Sequence, residues 1–185
     1  MKHAALIAMS AAALALASCG KKDEAVAPEM AATGTSAEMA TPAANMTAGQ
    51  SFANAAASSG AFEIATSRLA GEKAASAKIK SFAQAMIKAH TEASAKLMVA
   101  AAAAVPPVTP DSQLTAMQQQ TLADLTGKSG AEFDTAYAKV QVEAHQTTLD
   151  ALKAYSASGD VPSLKSFATA LVPTVTAHLN MAKGL

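Results

Sequence analysis

The chain has 185 residues, which is the size of one ordinary domain with an unstructured tail and argues against a multidomain protein. Its 14 basic and 14 acidic residues cancel, so the chain lacks the positive field that a nucleic-acid partner requires. Alanine occupies 50 positions, aromatic residues make up 4% and tryptophan is absent, a composition that favours helices over strands.

Residues 1–18 are predicted to be a lipoprotein signal peptide. Lys2 precedes an apolar run over residues 4–17, which has the layout of an export signal and is short for a membrane span. The sequence LASC that ends at Cys19 resembles the lipobox of bacterial lipoproteins. This resemblance implies cleavage before Cys19 and acylation of its thiol.

Acylation of Cys19 is predicted to tether the mature protein to a membrane that it does not span, because each buried acyl methylene contributes about 0.8 kcal/mol. Gly20, rather than aspartate, follows the cysteine. By resemblance to the sorting preference of Gram-negative lipoproteins, this favours the outer membrane, with the protein facing the periplasm. The alternative is an ordinary cleaved signal in which Cys19, which has no second cysteine to pair with, is incidental.

Residues 19–48 are predicted to form a flexible tether. Alanine, proline, threonine, serine and glutamate dominate this stretch without an apolar period, which is the composition of a linker. The folded domain is therefore predicted to span residues 49–185.

Capping signals and helical periodicity predict two long helices at the start of this domain. The first is expected to run from the capping box Thr47-x-x-Gln50 to about Ala74. Ser76 is expected to cap the second, which ends before Pro106 because proline cannot continue a helix.

A short helix and two further long helices are predicted in the second half. The short one is expected to open at Thr109 and to stop at Gly127. Ser129-x-x-Glu132 has the form of a capping box for the fourth helix, and the last helix is predicted from Val161 to Lys183.

The predicted fold class is all-α, an antiparallel four-helix bundle. Four long amphipathic helices joined in pairs by short turns bury their apolar stripes only against one another. The connection between the pairs, roughly residues 105–129, is long enough for a crossover that contains the short extra helix.

Short motifs recur along the four long helices: Phe62-Glu63-Ile64, Leu69-Ala70-x-Glu72-Lys73-Ala74, Lys80-x-Phe82-Ala83-x-x-Met86, His90, Phe133-Asp134-x-x-Tyr137, His145, Leu171-x-Pro173 and His178-Leu179. In order and spacing they resemble the domain of unknown function 4142 family. The resemblance covers about residues 49–183. It implies an exported bacterial protein with a ferritin-like fold, of a kind often described as outer membrane proteins, and it implies no activity.

One set of residues in the predicted domain has the chemistry of a site. His90, His145 and His178 fall on three different helices, and Glu63 falls on the fourth. Counted from the first predicted turn, Glu63 is 13 residues away and His90 is 14; counted from the last, His145 is 15 away and His178 is 18. Equal counts give equal heights in antiparallel helices, so the four are expected to lie nearly level. His90 and His178 lie on their apolar stripes, whereas Glu63 and His145 flank theirs.

These four residues are predicted to be metal ligands. A carboxylate and three neutral imidazoles inside a bundle suit a divalent transition metal such as Zn, Cu, Ni or Fe. A ferritin-type di-iron site is excluded because it needs Glu-x-x-His. The residues three before the histidines are all apolar: Ile87, Val142 and Val175.

The alternative is a hydrogen-bonded network without metal. Buried histidines paired with Glu63, Asp134, Tyr137 or backbone carbonyls would hold the bundle in register, and such a network would offset the cost of burying a carboxylate. As an alternative to a catalytic role for these two residues, Asp134 is expected to interact with a helix N-terminus and Tyr137 to be a core aromatic.

Two functions follow from these alternatives. The first is a lipid-tethered periplasmic module that binds a metal or small ligand. The second is a structural or interaction module that docks another protein of the cell envelope and holds no metal. An enzyme is the least favoured, because no set of acid, base and nucleophile stands out.

Overall fold

The structure, a computed structural model, describes residues 46–185. The predicted signal peptide, Cys19 and the tether up to residue 45 lie outside the described residues. The described part of the chain forms five α-helices and no named strand: α1 Ala48–Lys73, α2 Ala77–Ala102, α3 Ala116–Thr126, α4 Gly130–Ser158 and α5 Pro162–Ala182. No helix among them is long and apolar enough to cross a membrane.

The four long helices form an antiparallel bundle. Helix α1 packs against α2 and α4, and α5 packs against the same two helices. Ala74, after α1, pairs with Gly130 at the start of α4, and Lys78 in α2 donates a hydrogen bond to the Gly184 carbonyl after α5. These contacts place the end of α1, the start of α2, the start of α4 and the end of α5 at one end of the bundle, which we call the turn end. The predicted four-helix arrangement is confirmed.

The connection from α2 to α4 runs the length of the bundle and contains α3, as predicted, but the predicted start of α3 at Thr109 is wrong. The helix begins after Thr115, whose side chain accepts from the Gln118 amide while the Gln118 side chain accepts from the Thr115 amide. The segment before it is held by α1, since the Thr109 amide donates to the Gln50 side chain and the Asp111 amide to Asn54. These contacts with α1 satisfy backbone donors without a helix.

The predicted N-caps of the long helices differ in their outcome. The Thr47 and Ser76 side chains each accept the predicted hydrogen bond from the third residue of their helix, but the Thr47 capping box is incomplete because the Gln50 side chain binds Asn54 and Thr109 instead. Ser129 occupies the N-cap of α4 but makes no side-chain capping bond, so its predicted capping box is absent. Glu132 instead accepts from Lys128, which precedes α4, at 2.6 Å.

Substitutions are expected to distinguish an N-cap whose side chain makes a capping hydrogen bond from one whose side chain does not. Thr47→Ala removes an N-cap bond of 3.1 Å and should lower the free energy of unfolding by about 1 kcal/mol. Ser129→Ala removes no such bond and should change it by less than about 0.5 kcal/mol. Urea denaturation of both variants measures the difference, and equal losses would contradict this assignment of the caps.

The core consists of two apolar clusters separated by a polar layer. The cluster near the turn end includes Phe82, Met86 and Tyr137, and the other includes Phe52, Leu97, Leu152 and Phe167. Between them, on the four long helices, lie Glu63, His90, His145 and His178. A polar layer in the middle of an apolar core costs free energy unless its groups are partnered, so these residues define the candidate site.

Candidate metal centre

The four residues predicted to share one height come together in the middle of the bundle. The imidazole ring centroids are 5.6 Å apart for His90 and His145, 5.9 Å for His90 and His178, and 5.6 Å for His145 and His178. Glu63 Oε1 lies 3.8 Å from His145 Nδ1. Antiparallel packing of α1 with α2 and of α4 with α5 produces this convergence, because it brings together positions at similar distances from the two turns.

Burial within the site does not follow the apolar stripes. Glu63 and His145, which flank their stripes, are each 1% exposed, and His90 is 8% exposed. His178, which lies on its stripe, is only half-buried. The helices therefore direct the flanking positions of α1 and α4 deepest into the layer.

The proton of His145 is located by its hydrogen bond. Its Nδ1 lies 2.8 Å from the carbonyl oxygen of Gln141, one turn earlier in α4. Because a carbonyl oxygen only accepts, Nδ1 carries the proton and donates. The lone pair is then on Nε2, which is buried and has no hydrogen-bond partner.

The other two rings also present buried nitrogens without partners. These atoms are Nε2 of His90 and Nδ1 of His178. Leaving one such group unsatisfied costs about 1–3 kcal/mol, so three within one layer call for an explanation in terms of a ligand.

The separation of the ligand nitrogens suits a metal ion. One nitrogen from each of His90, His145 and His178 lies within 4.8 Å of the other two. For any three atoms whose separations do not exceed 4.8 Å, there is a point whose distance from each atom is at most 4.8/√3, or about 2.8 Å. Typical Zn–N bonds are about 2.0–2.1 Å, so an inward shift of at most about 0.7 Å by each ring brings all three nitrogens to bonding distance.

Glu63 lies next to this triad, behind His145. Its carboxylate approaches the protonated Nδ1 of His145, the side of the ring opposite to the free Nε2. The three-histidine group does not include it. The group that orients the His145 ring is the Gln141 carbonyl, which accepts from Nδ1, while Glu63 lies beside this bond without a hydrogen bond of its own.

All three histidines are held neutral. Burial lowers the pKa of His90 to about 3, with His145 and His178 contributing to the shift, and burial lowers the pKa of His145 to about 4. The pKa of His178 is lowered for the same reason. Neutral imidazoles are the form that coordinates metals, so the site needs no deprotonation of its rings near pH 7.

The Glu63 carboxyl is also held neutral. Complete burial raises its pKa from 4.5 to about 8, and the nearby Gln141 side chain opposes this shift only in part. Neither carboxyl oxygen has a hydrogen-bond partner of good geometry. A divalent cation a few ångströms away would favour the ionised form, because an opposite charge at this distance lowers a carboxyl pKa.

Of the partners that a metal-free network would use, Glu63 and the Gln141 backbone carbonyl lie beside His145, whereas Asp134 and Tyr137 bind elsewhere. The Asp134 carboxylate accepts from the Ala75 and Ser76 amides at 3.1 and 2.9 Å, at the N-terminus of α2. Tyr137 is fully buried, and its hydroxyl lies 2.9 Å from that of Ser67. Asp134 is therefore a partner of a helix N-terminus and Tyr137 a core aromatic, as expected.

Gln141 and Thr66 belong to the polar layer but are absent from the sequence-based set. The Gln141 amide donates to the Thr66 hydroxyl at 3.2 Å, and both residues are fully buried. Their spacing offers a signal: Gln141 lies one turn before His145, and Thr66 lies three residues after Glu63.

Comparison with known proteins identifies one family. The family model described as a domain of unknown function, DUF4142, matches residues 33–185, which include all four residues of the candidate centre. No curated protein and no solved structure matches the chain.

Proposed function

The chain belongs to the DUF4142 family, and we propose that it binds one divalent transition-metal ion through His90, His145 and His178. The observation that carries this proposal is the convergence of three neutral imidazoles, each with a buried nitrogen that has no hydrogen-bond partner. Three nitrogen ligands favour Zn, Cu, Ni or Fe over Mg or Ca, which prefer oxygen.

Glu63 acts in this proposal as the charge partner of the ion rather than as a fourth protein ligand. It lies on the Nδ1 side of His145, away from the nitrogen with the free lone pair. Ionisation of its carboxyl when the metal binds would reduce the net charge of the site from +2 to +1. Metal binding is then coupled to release of one proton.

The affinity of the purified full chain for metal ions, and the number of ions bound per chain, test the proposal. Calorimetric titration with Zn, Ni, Co and Mg is expected to give one site per chain for the transition metals and none for Mg. His90→Ala, His145→Ala and His178→Ala should each lower the affinity at least 100-fold. Glu92→Gln is the matched control, since Glu92 is an exposed carboxylate on the same helix as His90 and should have no effect.

Two results would reject the metal-binding proposal. One is the absence of binding by the wild-type chain, and the other is undiminished binding by all three histidine variants. Either would favour the structural or interaction module of the cell envelope, whose polar layer serves only to hold the bundle in register.

We propose that this metal-binding domain is held at the periplasmic face of the outer membrane by acyl chains on Cys19. The support is the lipobox-like sequence before Cys19 and the glycine after it. Cys19→Ser is expected to move the protein from the membrane fraction to the soluble fraction or to block its processing. Fractionation followed by mass determination of the N-terminus measures this, and an unchanged membrane fraction with an unmodified residue 19 would contradict the anchor.

A further inference from the structure

A small cavity lies inside the bundle beside His90. Its volume is about 30 Å³, and we call it the inner cavity. All four long helices contribute to its wall, among them Gly60 of α1, Ser94 of α2, Thr148 of α4 and Val175 of α5. A water molecule needs about 10–15 Å³ of such space, so the inner cavity has room for a ligand of water size or slightly larger.

The inner cavity lies on one side of the three histidines. Its wall includes His90 itself. Thr148 is three residues after His145 in α4, and Val175 is three residues before His178 in α5. Both positions lie one turn from their histidine toward the end of the bundle opposite the turn end. Of the three histidines only His90 lines the inner cavity, so the cavity meets the triad at His90 and lies about one turn from His145 and His178 along their helices.

A larger groove lies outside the inner cavity. It has a volume of about 390 Å³, lies between α1, α3 and α4, and is called here the outer groove. Ser59 and Thr148 line both spaces, and their hydroxyl oxygens are 2.8 Å apart. Together with Ala56 and Leu152, which also line both spaces, this pair of rotatable hydroxyls separates the inner cavity from the outer groove, whose wall includes the 80% exposed Met117.

The number of protein ligands leaves the coordination of the proposed ion incomplete. Three histidines supply three nitrogens, and Glu63 lies behind one of them. Closed structural zinc sites have four protein ligands, whereas sites with three keep a position for water or an exogenous ligand. No charged side chain lines the inner cavity, so the ion itself would be the main charge acting on a ligand there.

We propose that the metal centre keeps an open coordination position facing the inner cavity, and that it binds there a small inorganic anion of at most three heavy atoms. This inference rests on the proposed metal binding by His90, His145 and His178. It adds to that proposal a ligand class and a size limit set by the walls of the inner cavity.

Azide binding to the cobalt-loaded full chain tests the inference. Cobalt(II) replaces the colourless zinc, and its visible absorption reports a change of ligand. Azide is expected to change this spectrum with saturation at one anion per chain. Imidazole, a nitrogen donor too large for the inner cavity, is expected to leave the spectrum unchanged at the same concentrations. This size comparison needs no variant.

The variant Gly60→Ala provides a second test of this inference. The added methyl group would come within 3.2 Å of Ser94 Oγ, and both residues line the inner cavity. The variant is expected to bind cobalt within twofold of wild type and azide at least tenfold more weakly. Gly71→Ala is the matched control, since Gly71 is exposed on the same helix with nothing within 4 Å of the added carbon. It should bind both like wild type.

Each outcome bears on one proposal or on both. Cobalt binding without an azide response would overturn the open position and leave metal binding intact. An equal azide affinity in Gly60→Ala and wild type, or equal binding of imidazole, would overturn the assignment to the inner cavity. A failure to bind cobalt would overturn both this inference and the proposed function.

Discussion

Zinc is expected to raise the free energy of unfolding of the purified chain by about 4 kcal/mol when free zinc is about 1,000 times its Kd. The corresponding rise in Tm is roughly 10–15 °C for a domain of this size. The gain arises because the ion binds the folded state, in which His90, His145 and His178 converge, far more tightly than the unfolded chain. Thermal unfolding with and without zinc measures it.

We call the rise in the free energy of unfolding that zinc produces the zinc increment. Measured within each variant, it separates the effect of metal binding from the effect of packing. His145→Ala removes the most buried ring and is expected to lower stability without zinc, because it leaves a cavity. Its zinc increment should nevertheless fall to nearly zero. Glu92→Gln should keep the full increment, and magnesium should produce none in any of the proteins. A full increment in His145→Ala would contradict the assigned site.

The second large effect is expected in Glu63→Gln without metal. The pKa of Glu63 is about 8 in the folded protein and near 4.5 in the unfolded chain. Between these values the unfolded chain loses the proton that the folded state keeps, so the stability of the wild type falls as pH rises from about 4.5 to 8. The shift corresponds to about 5 kcal/mol, since one pKa unit corresponds to about 1.4 kcal/mol.

Glutamine at this position keeps the shape of the neutral carboxyl and has no proton to lose. Glu63→Gln is therefore expected to be more stable than wild type at pH 8–9, by several kcal/mol, and similar to it near pH 4.5. Urea unfolding at several pH values from 4.5 to 9 in the presence of a chelator measures the difference. Parallel pH curves for the two proteins would show that Glu63 ionises normally in the folded state.

The histidines impose an opposite pH dependence that serves as an internal check. Their folded-state pKa values lie below 6.5, so the unfolded chain takes up protons first as pH falls. Stability that depends on neutral rings is lost below about pH 6.5 in both proteins. Glu63→Gln should thus remove the loss on the alkaline side while the loss due to the histidines on the acid side remains.

Much of the fold could be predicted because its determinants are local. Helix α5 begins after Val161 and ends before Lys183, as the apolar period indicated, and Thr47 and Ser76 cap the helices predicted for them. Each of these features depends on residues within one or two turns of the chain. The start of α3 could not be obtained in this way, because Gln50 and Asn54, more than 50 residues away, bind the segment before it.

The candidate site also combines features that follow from local sequence with features that depend on long-range packing. Counting from the turns was enough to predict that one residue on each long helix shares a height, since the rise per residue is constant in every α-helix. The depth and direction of each side chain depended on how the helices are rotated against one another. That rotation buried the flanking residues Glu63 and His145 more deeply than His178.

By itself, the sequence determined the helices, their antiparallel pairing and the four polar residues of the middle layer, because helical periodicity and short turns act over a few residues. The tertiary structure alone decided that three imidazoles face one another while Glu63 lies behind His145. It alone placed the inner cavity beside His90. These features depend on contacts between side chains far apart in the chain, which no local pattern specifies.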